Sequence, residues 1–210
     1  MKADFLAYWN SLWNDIPIWV YETGILVFIA GLVICSLTYG IRKGLRYSLG
    51  LLLIEYIILI YCSTVFFRNT GKLQYDFMPF WSYRDYFNGV DKGLLTENIM
   101  NVVAFVPVGL LLGMMIRSKV IQVTETEKIS SKVPKIVEKR WKRGWLAAIL
   151  VGAGLSIGIE MLQLVFKRGF SEVDDVMHNT LGCLIGYGIY LLVRVGWKSR
   201  ACLTPEGKRC

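Results

Sequence analysis

Residues 145–166 read WLAAILVGAGLSIGIEMLQLVF, twenty-two positions in which Glu160 is the only charged side chain. At 1.5 Å per residue such a helix is ~33 Å long, enough to cross a hydrocarbon core of about 30 Å. Four other runs share this character: 25–37, lengthened by its flank from about Trp19, then 49–67, 99–116 and 176–195. The expected fold class is all-α, a polytopic transmembrane helical bundle of about five helices.

The rest of the 210 residues agrees with that reading. The chain is 54% hydrophobic, and its charges gather in a few stretches instead of alternating with apolar residues as on a soluble surface. Five crossings with short connections leave room for one membrane domain. The expected organisation is an interfacial segment with two helices over 1–74, three helices over 75–195, and a tail over 196–210. The second part carries an aromatic loop at its start and a basic loop at 117–144. Residues 1–24 hold three acidic residues and Trp9, Trp13 and Trp19, which suits a lead-in at headgroup depth and not a cleavable signal peptide.

The net charge of +8 does not point to nucleic acid, because the basic residues lie in loops beside apolar runs. There they set orientation and touch anionic lipid. Segments 38–48, 117–144 and 194–210 hold seventeen Lys and Arg, against seven in the alternate set of connections. The excess of basic residues on cytoplasmic loops places the N-terminus outside and the C-terminus in the cytoplasm. The loop 117–144 reads as a flexible linker. Cys35, Cys62 and Cys183 lie in apolar runs and Cys202 and Cys210 in the tail, with no spacing that resembles a disulfide framework or a zinc site.

On this topology the informative polar residues collect near the outer face. Asn98 and Asn101 open the third run on one helical face, with Asn101 about 5 Å below its outer end. Gly152, Ser156, Glu160 and Gln163 form a small and polar stripe on the fourth run. Asp175 and Asn179 lie four apart at the start of the fifth, followed by Gly182 and Gly186. A carboxylate at the depth of Glu160 costs roughly 2.5 kcal/mol or more unless it faces protein or water, so it should face inward.

Two readings stand side by side. The residues form a functional site, or they only hydrogen-bond helices together while glycines allow close packing. Arg168 could pair with Glu160, Asp174 or Asp175, or bind an anionic group. Glu160, Asp174, Asp175 and His178 have side chains that bind divalent cations, but no dense ligand motif accompanies them, so no metal or other cofactor is assigned. Glu55 lies apart in the second run, where a hydrogen-bonding role is simpler than proton transport.

Three stretches, FMPFWSYRDY at 77–86, ENIMNVVAFVPVGLLLG at 97–113 and IEMLQLVFKRGFSEVDDVMHNTLGCLIGYG at 159–188, carry a resemblance. In their order and spacing, Asn101, Phe105, Pro107, Gly109, Glu160, Gln163, Arg168, Asp174, Asp175, Asn179 and Gly182 resemble the pattern of the VanZ-like family, small bacterial membrane proteins named for one that lowers susceptibility to teicoplanin. His178 stands where that pattern has an apolar residue. The resemblance implies a multi-pass protein of the bacterial cell membrane. It also implies an association with glycopeptide tolerance. Together with the polar cluster, the expectation is an outward-facing pocket that binds a lipid-linked cell-wall precursor or a glycopeptide and lowers susceptibility to teicoplanin-type drugs, with membrane lipids as surroundings and no nucleic acid. The binding residues would be Asn101, Glu160, Gln163, Arg168, Asp174, Asp175 and Asn179. An enzyme acting on a lipid headgroup, with Glu160 or Asp175 as general acid or base or as a metal ligand, is the alternative, and a small transporter the third reading.

Overall fold

A computed structural model describes residues 6, 7, 9, 10, 13–118 and 133–201. Helices α1 (Ile18–Tyr39) and α2 (Ile41–Tyr61) form a hairpin about Gly40, whose φ of 78° is a conformation that L side chains rarely adopt. The end of α2 widens into a π-helix over Cys62–Phe66. A short strand β1 (Gln74–Asp76) and helix α3 (Trp81–Phe87) then lead into α4 (Leu94–Ser118), followed by α5 (Val133–Phe166), strand β2 (Phe170–Glu172) and α6 (Val173–Ala201). Among the described residues, five segments are long and apolar enough to cross a membrane: Ile18–Tyr39, Lys43–Phe66, Leu94–Ile116, Arg143–Phe166 and Val173–Arg194. The chain is a multi-pass helical membrane protein.

Its surface is that of a protein in lipid. No residue of α1 is buried, and Ile25, Leu26, Ile34 and Leu37 project outward. Ile157, Met161 and Val165 on α5, and Met177, Leu181, Ile185 and Ile189 on α6, form exposed apolar stripes at four-residue spacing. The polar residues Asn98, Ser156, Glu160, Gln163, Asp174 and Asn179 are buried instead. In water this distribution would cost free energy on both counts; in hydrocarbon it is favourable.

The most extensive helix pair is α4 with α6, and small residues make it close. A β-carbon at Gly109 would meet the carbonyl of Cys183, and β-carbons at Gly182 and Gly186 would meet the carbonyls of Val102 and Val106. Phe105, Val108 and Cys183 fill the centre of the bundle with Val65, Ala148 and Ile159. Tyrosine hydroxyls of α2 tie it to both neighbours: Tyr56 donates to the carbonyl of Ala104 at 2.8 Å and Tyr61 to that of Leu155 at 2.9 Å.

Several helix limits differ from those read from apolar runs alone, and α2 starts at Ile41 and not near Leu49, taking in most of the connection read at 38–48. Helix α4 starts at Leu94 and not near Ile99, so Asn101 lies about 10 Å, not 5 Å, from its end. Thr96, Glu97 and Asn98 are polar yet helical because they face protein. Helix α6 begins at Val173, with Asp174 and Asp175 in its first turn. Helix α5 reaches back to Val133 and takes in the second half of the basic stretch read as a linker. Residues 119–132, the centre of that stretch, lie outside the described residues, as do 202–210 with Cys202 and Cys210. The all-α class holds with one addition: β1 and β2 pair in parallel, Tyr75 opposite Ser171.

Candidate functional site

At the end of the bundle where α4 and α6 begin, a cavity of about 440 Å³ opens between α2, α4, α5 and α6. Its wall includes Asn101, Glu160, Gln163, Asp175 and Asn179, contributed by three helices. Asn101 Nδ2 donates to Asp175 Oδ1 at 2.6 Å, which joins α4 to α6. Asn179 Nδ2 donates to Ser156 Oγ at 2.8 Å, joining α6 to α5. The backbone N–H of Glu172 donates to Glu160 Oε2 at 2.8 Å, and Gln163 Nε2 donates to the carbonyl of Thr64 at 3.2 Å.

These bonds leave a set of oxygens over. Glu160 Oε1, Gln163 Oε1 and Asn179 Oδ1 are buried without a hydrogen-bond partner, although their residues line the cavity. Trp13 Nε1, a donor, is buried and unpaired as well, and its residue also lines the cavity. The amide orientation of Gln163 follows from its partner, since the carbonyl of Thr64 can only accept.

The site contains groups absent from the expected set. Arg68, Glu97 and Glu172 also line the cavity. Arg68 follows the π-helix, with its guanidinium against Gly169, and its charge acts on Glu160 and Asp175. No periodicity marks a residue beyond an irregular helix end. Glu97 was legible, being four residues before Asn101 on the same face. Glu172 accepts from Trp81 Nε1 at 3.0 Å and lies beside the strand pairing, where helical spacing gives no guide.

Burial, and then the charge of Asp175, push the Glu172 carboxyl up to about 9. The folded protein therefore holds a proton there that the unfolded chain releases above about pH 4.5, and stability falls as pH rises between that value and about 9. In Glu172→Gln this loss should be smaller, so that the variant melts above the wild type at pH 8 and close to it at pH 5. Thermal unfolding in detergent at the two pH values checks this.

Three candidates serve elsewhere. Asp174, only 1% exposed, accepts from the backbone N–H of Phe80 at 2.6 Å, from that of Ser82 at 3.1 Å, and from Ser82 Oγ at 2.5 Å. It thereby holds the start of α3, where Phe80 has a left-handed φ of 64°, and Asn98 Nδ2 completes the network by donating to Ser82 Oγ at 3.0 Å. Arg168 donates to the carbonyls of Val65 and Phe66 and so fixes the end of the π-helix; no carboxylate pairs with it among the described contacts. His178 meets the Tyr83 hydroxyl at 2.7 Å, outside the cavity wall. Among the described residues no group of three His, Cys, Asp or Glu is placed to hold a metal ion.

The geometry meets known proteins at the level of sequence. The VanZ/LLP1 family model matches residues 51–194, from the middle of α2 to the end of the last crossing, a wider span than the three motif stretches. Protein VanZ of Enterococcus faecium is 27% identical over 146 residues, which cover 68% of this chain and 76% of that protein. No solved structure matches the chain significantly. The match takes in the cavity-lining residues of α4, α5 and α6 together with the glycines of the α4–α6 crossing, and the chain belongs to the VanZ/LLP1 family.

Proposed function

We propose that the chain is a bacterial cell-membrane protein that lowers susceptibility to teicoplanin-type glycopeptides, acting through an outward-facing polar cavity. The single observation that carries the cavity's role is the convergence of Asn101, Glu160, Gln163, Asp175 and Asn179 from three helices on one cavity of about 440 Å³. A bundle that used these residues only as helix-to-helix glue would close around them and leave no such void. The distribution of Lys and Arg supports an outward orientation for this end. The similarity to Protein VanZ supports the envelope role. Within this reading the bound molecule is a lipid-linked precursor or a glycopeptide, whose occupancy reduces drug access to its target.

The test is the susceptibility of a sensitive Gram-positive host carrying the gene or an empty vector. Expression should raise the inhibitory concentration of teicoplanin severalfold and leave that of vancomycin nearly unchanged. Equal susceptibility with and without the gene would remove the antibiotic role.

One observation favours a second reading, an enzyme acting on a lipid headgroup. Glu160, Glu172 and Asp175 surround one cavity with Arg68 among them, the kind of grouping from which acid and base roles are drawn. Turnover of a headgroup by the purified protein, abolished in Asp175→Asn, would establish it. Glu55 is not on the cavity wall, and transport gains no support from it.

A further inference from the structure

A second space lies against α3. Phe80, Tyr83, Asp174, Met177, His178 and Leu181 line a groove of about 480 Å³ between α3 and the N-terminal part of α6. Adjacent residues divide between the two spaces: Trp81 and Asp175 line the polar cavity, Phe80 and Asp174 the groove. The polar groups of the groove wall are turned to partners. Both carboxylate oxygens of Asp174 accept from Phe80 and Ser82, and His178 Nε2 meets the Tyr83 hydroxyl at 2.7 Å. His178 Nδ1 is buried and offers the groove no polar surface. The side chains left open are apolar: Phe80, Met177 and Leu181 are 56%, 40% and 48% exposed.

Met177 and Leu181 are also the first two members of the exposed stripe that continues along α6 through Ile185 and Ile189. That stripe faces hydrocarbon in a membrane, so the groove is continuous with the lipid-facing surface. Water would find few hydrogen-bond partners there, and an empty groove forfeits the dispersion contacts of its walls. We propose that the groove holds an acyl chain of a phospholipid from the adjacent leaflet, seated against Phe80 and Tyr83 of α3 and Met177 and Leu181 of α6. Lipid tails are as apolar as the stripe itself, so the chain is held by packing and not by transfer out of water. Helix α3 is then braced between the lipid chain and the polar cavity, where Trp81 Nε1 donates to Glu172 at 3.0 Å. Seating of the chain requires neither an occupant in the polar cavity nor one orientation of the protein, and stands apart from the antibiotic role.

The experiment places the full chain in phosphatidylcholine nanodiscs containing a phosphatidylcholine with a diazirine at mid-chain, irradiates them, and maps the adducts by peptide mass spectrometry. Helix α3 belongs to none of the five crossings, so chains surrounding the bundle label α1 and the α6 stripe, whereas a chain in the groove also labels residues 80–83. Wild type should carry label on α3 as well as on α1. Leu181→Trp fills the groove from an exposed position and should lower the α3 label about tenfold relative to that on α1, the effect of about 1.4 kcal/mol of lost packing. Met177→Trp should act likewise, which decides the matter should Leu181→Trp fail to fold. Ile185→Trp, on the same stripe but not on the groove wall, should leave both labels unchanged. Absence of label from α3 in the wild type, or α3 label in the two groove variants equal to that in Ile185→Trp, would overturn the proposal. An α3 protected in wild type and labelled in Leu181→Trp, with two chains per particle falling to one, would assign the groove to a second copy of the chain and equally overturn it.

Discussion

Gly182→Val should prevent accumulation of folded protein, because the new side chain would have to occupy the space of a backbone. The β-carbon would meet the Val102 carbonyl, with Phe105 Cβ at 3.0 Å on the other side. Neither can yield as a flexible side chain would: Val102 lies within α4, and Phe105 is 2% exposed at the centre of the core. Overpacking in a core ordinarily costs 1–3 kcal/mol, and here the helices must separate along the most extensive contact of the bundle, so a loss above about 3 kcal/mol is expected. Gly154 provides the control, since nothing lies within 4 Å of a β-carbon there. Gly182→Val should be nearly absent from the monodisperse fraction on gel filtration in mild detergent, whereas Gly154→Ala should elute and melt as wild type. A Gly182→Val protein with wild-type yield and melting would contradict the close crossing.

Asp174→Ala should release the aromatic loop without dissolving the bundle. The substitution removes the acceptor of three hydrogen bonds and leaves the N–H groups of Phe80 and Ser82 unpaired in protein. Each such loss costs about 1–3 kcal/mol, so the local cost is on the order of 3–5 kcal/mol. The left-handed turn at Phe80 then loses the contact that holds it. Hydrogen exchange over residues 78–88 should rise by two orders of magnitude or more, with little change in α4 and α6. Asp174→Asn retains an acceptor oxygen and should fall between the two. Because Trp81 of α3 lines the cavity and bonds Glu172, the same substitution should also weaken whatever the cavity binds.

Both predictions concern residues that the family pattern contains but that do not contact the cavity, and they show what a sequence can and cannot tell. The crossings were legible because each is a continuous apolar run, a signal set by bilayer thickness. Helix starts were less so. Where Thr96, Glu97 and Asn98, or Asp174 and Asp175, face protein, polar residues extend a helix beyond its apolar run. Asn101, Glu160, Gln163, Asp175 and Asn179 were legible as a cluster because helical spacing places residues on faces, and the structure brings all five to one cavity. Periodicity says nothing about which of two adjacent acids turns inward. Asp174 turns to the loop and Asp175 to the cavity, one residue and about 100° apart on the same helix. Arg168 turns to the carbonyls of Val65 and Phe66, while Arg68, which no spacing singled out, lines the cavity, because both lie in irregular backbone, where the π-helix and the strand pair decide direction.

The central claim is that the cavity, and not merely the bundle, carries the function. Its most direct test is the teicoplanin inhibitory concentration of a sensitive host expressing wild type or Glu160→Gln at equal membrane abundance. Protection by wild type that disappears in Glu160→Gln, with the variant folded and melting normally, is the predicted result. Full protection by Glu160→Gln would contradict the account and return the polar cluster to a role in helix packing.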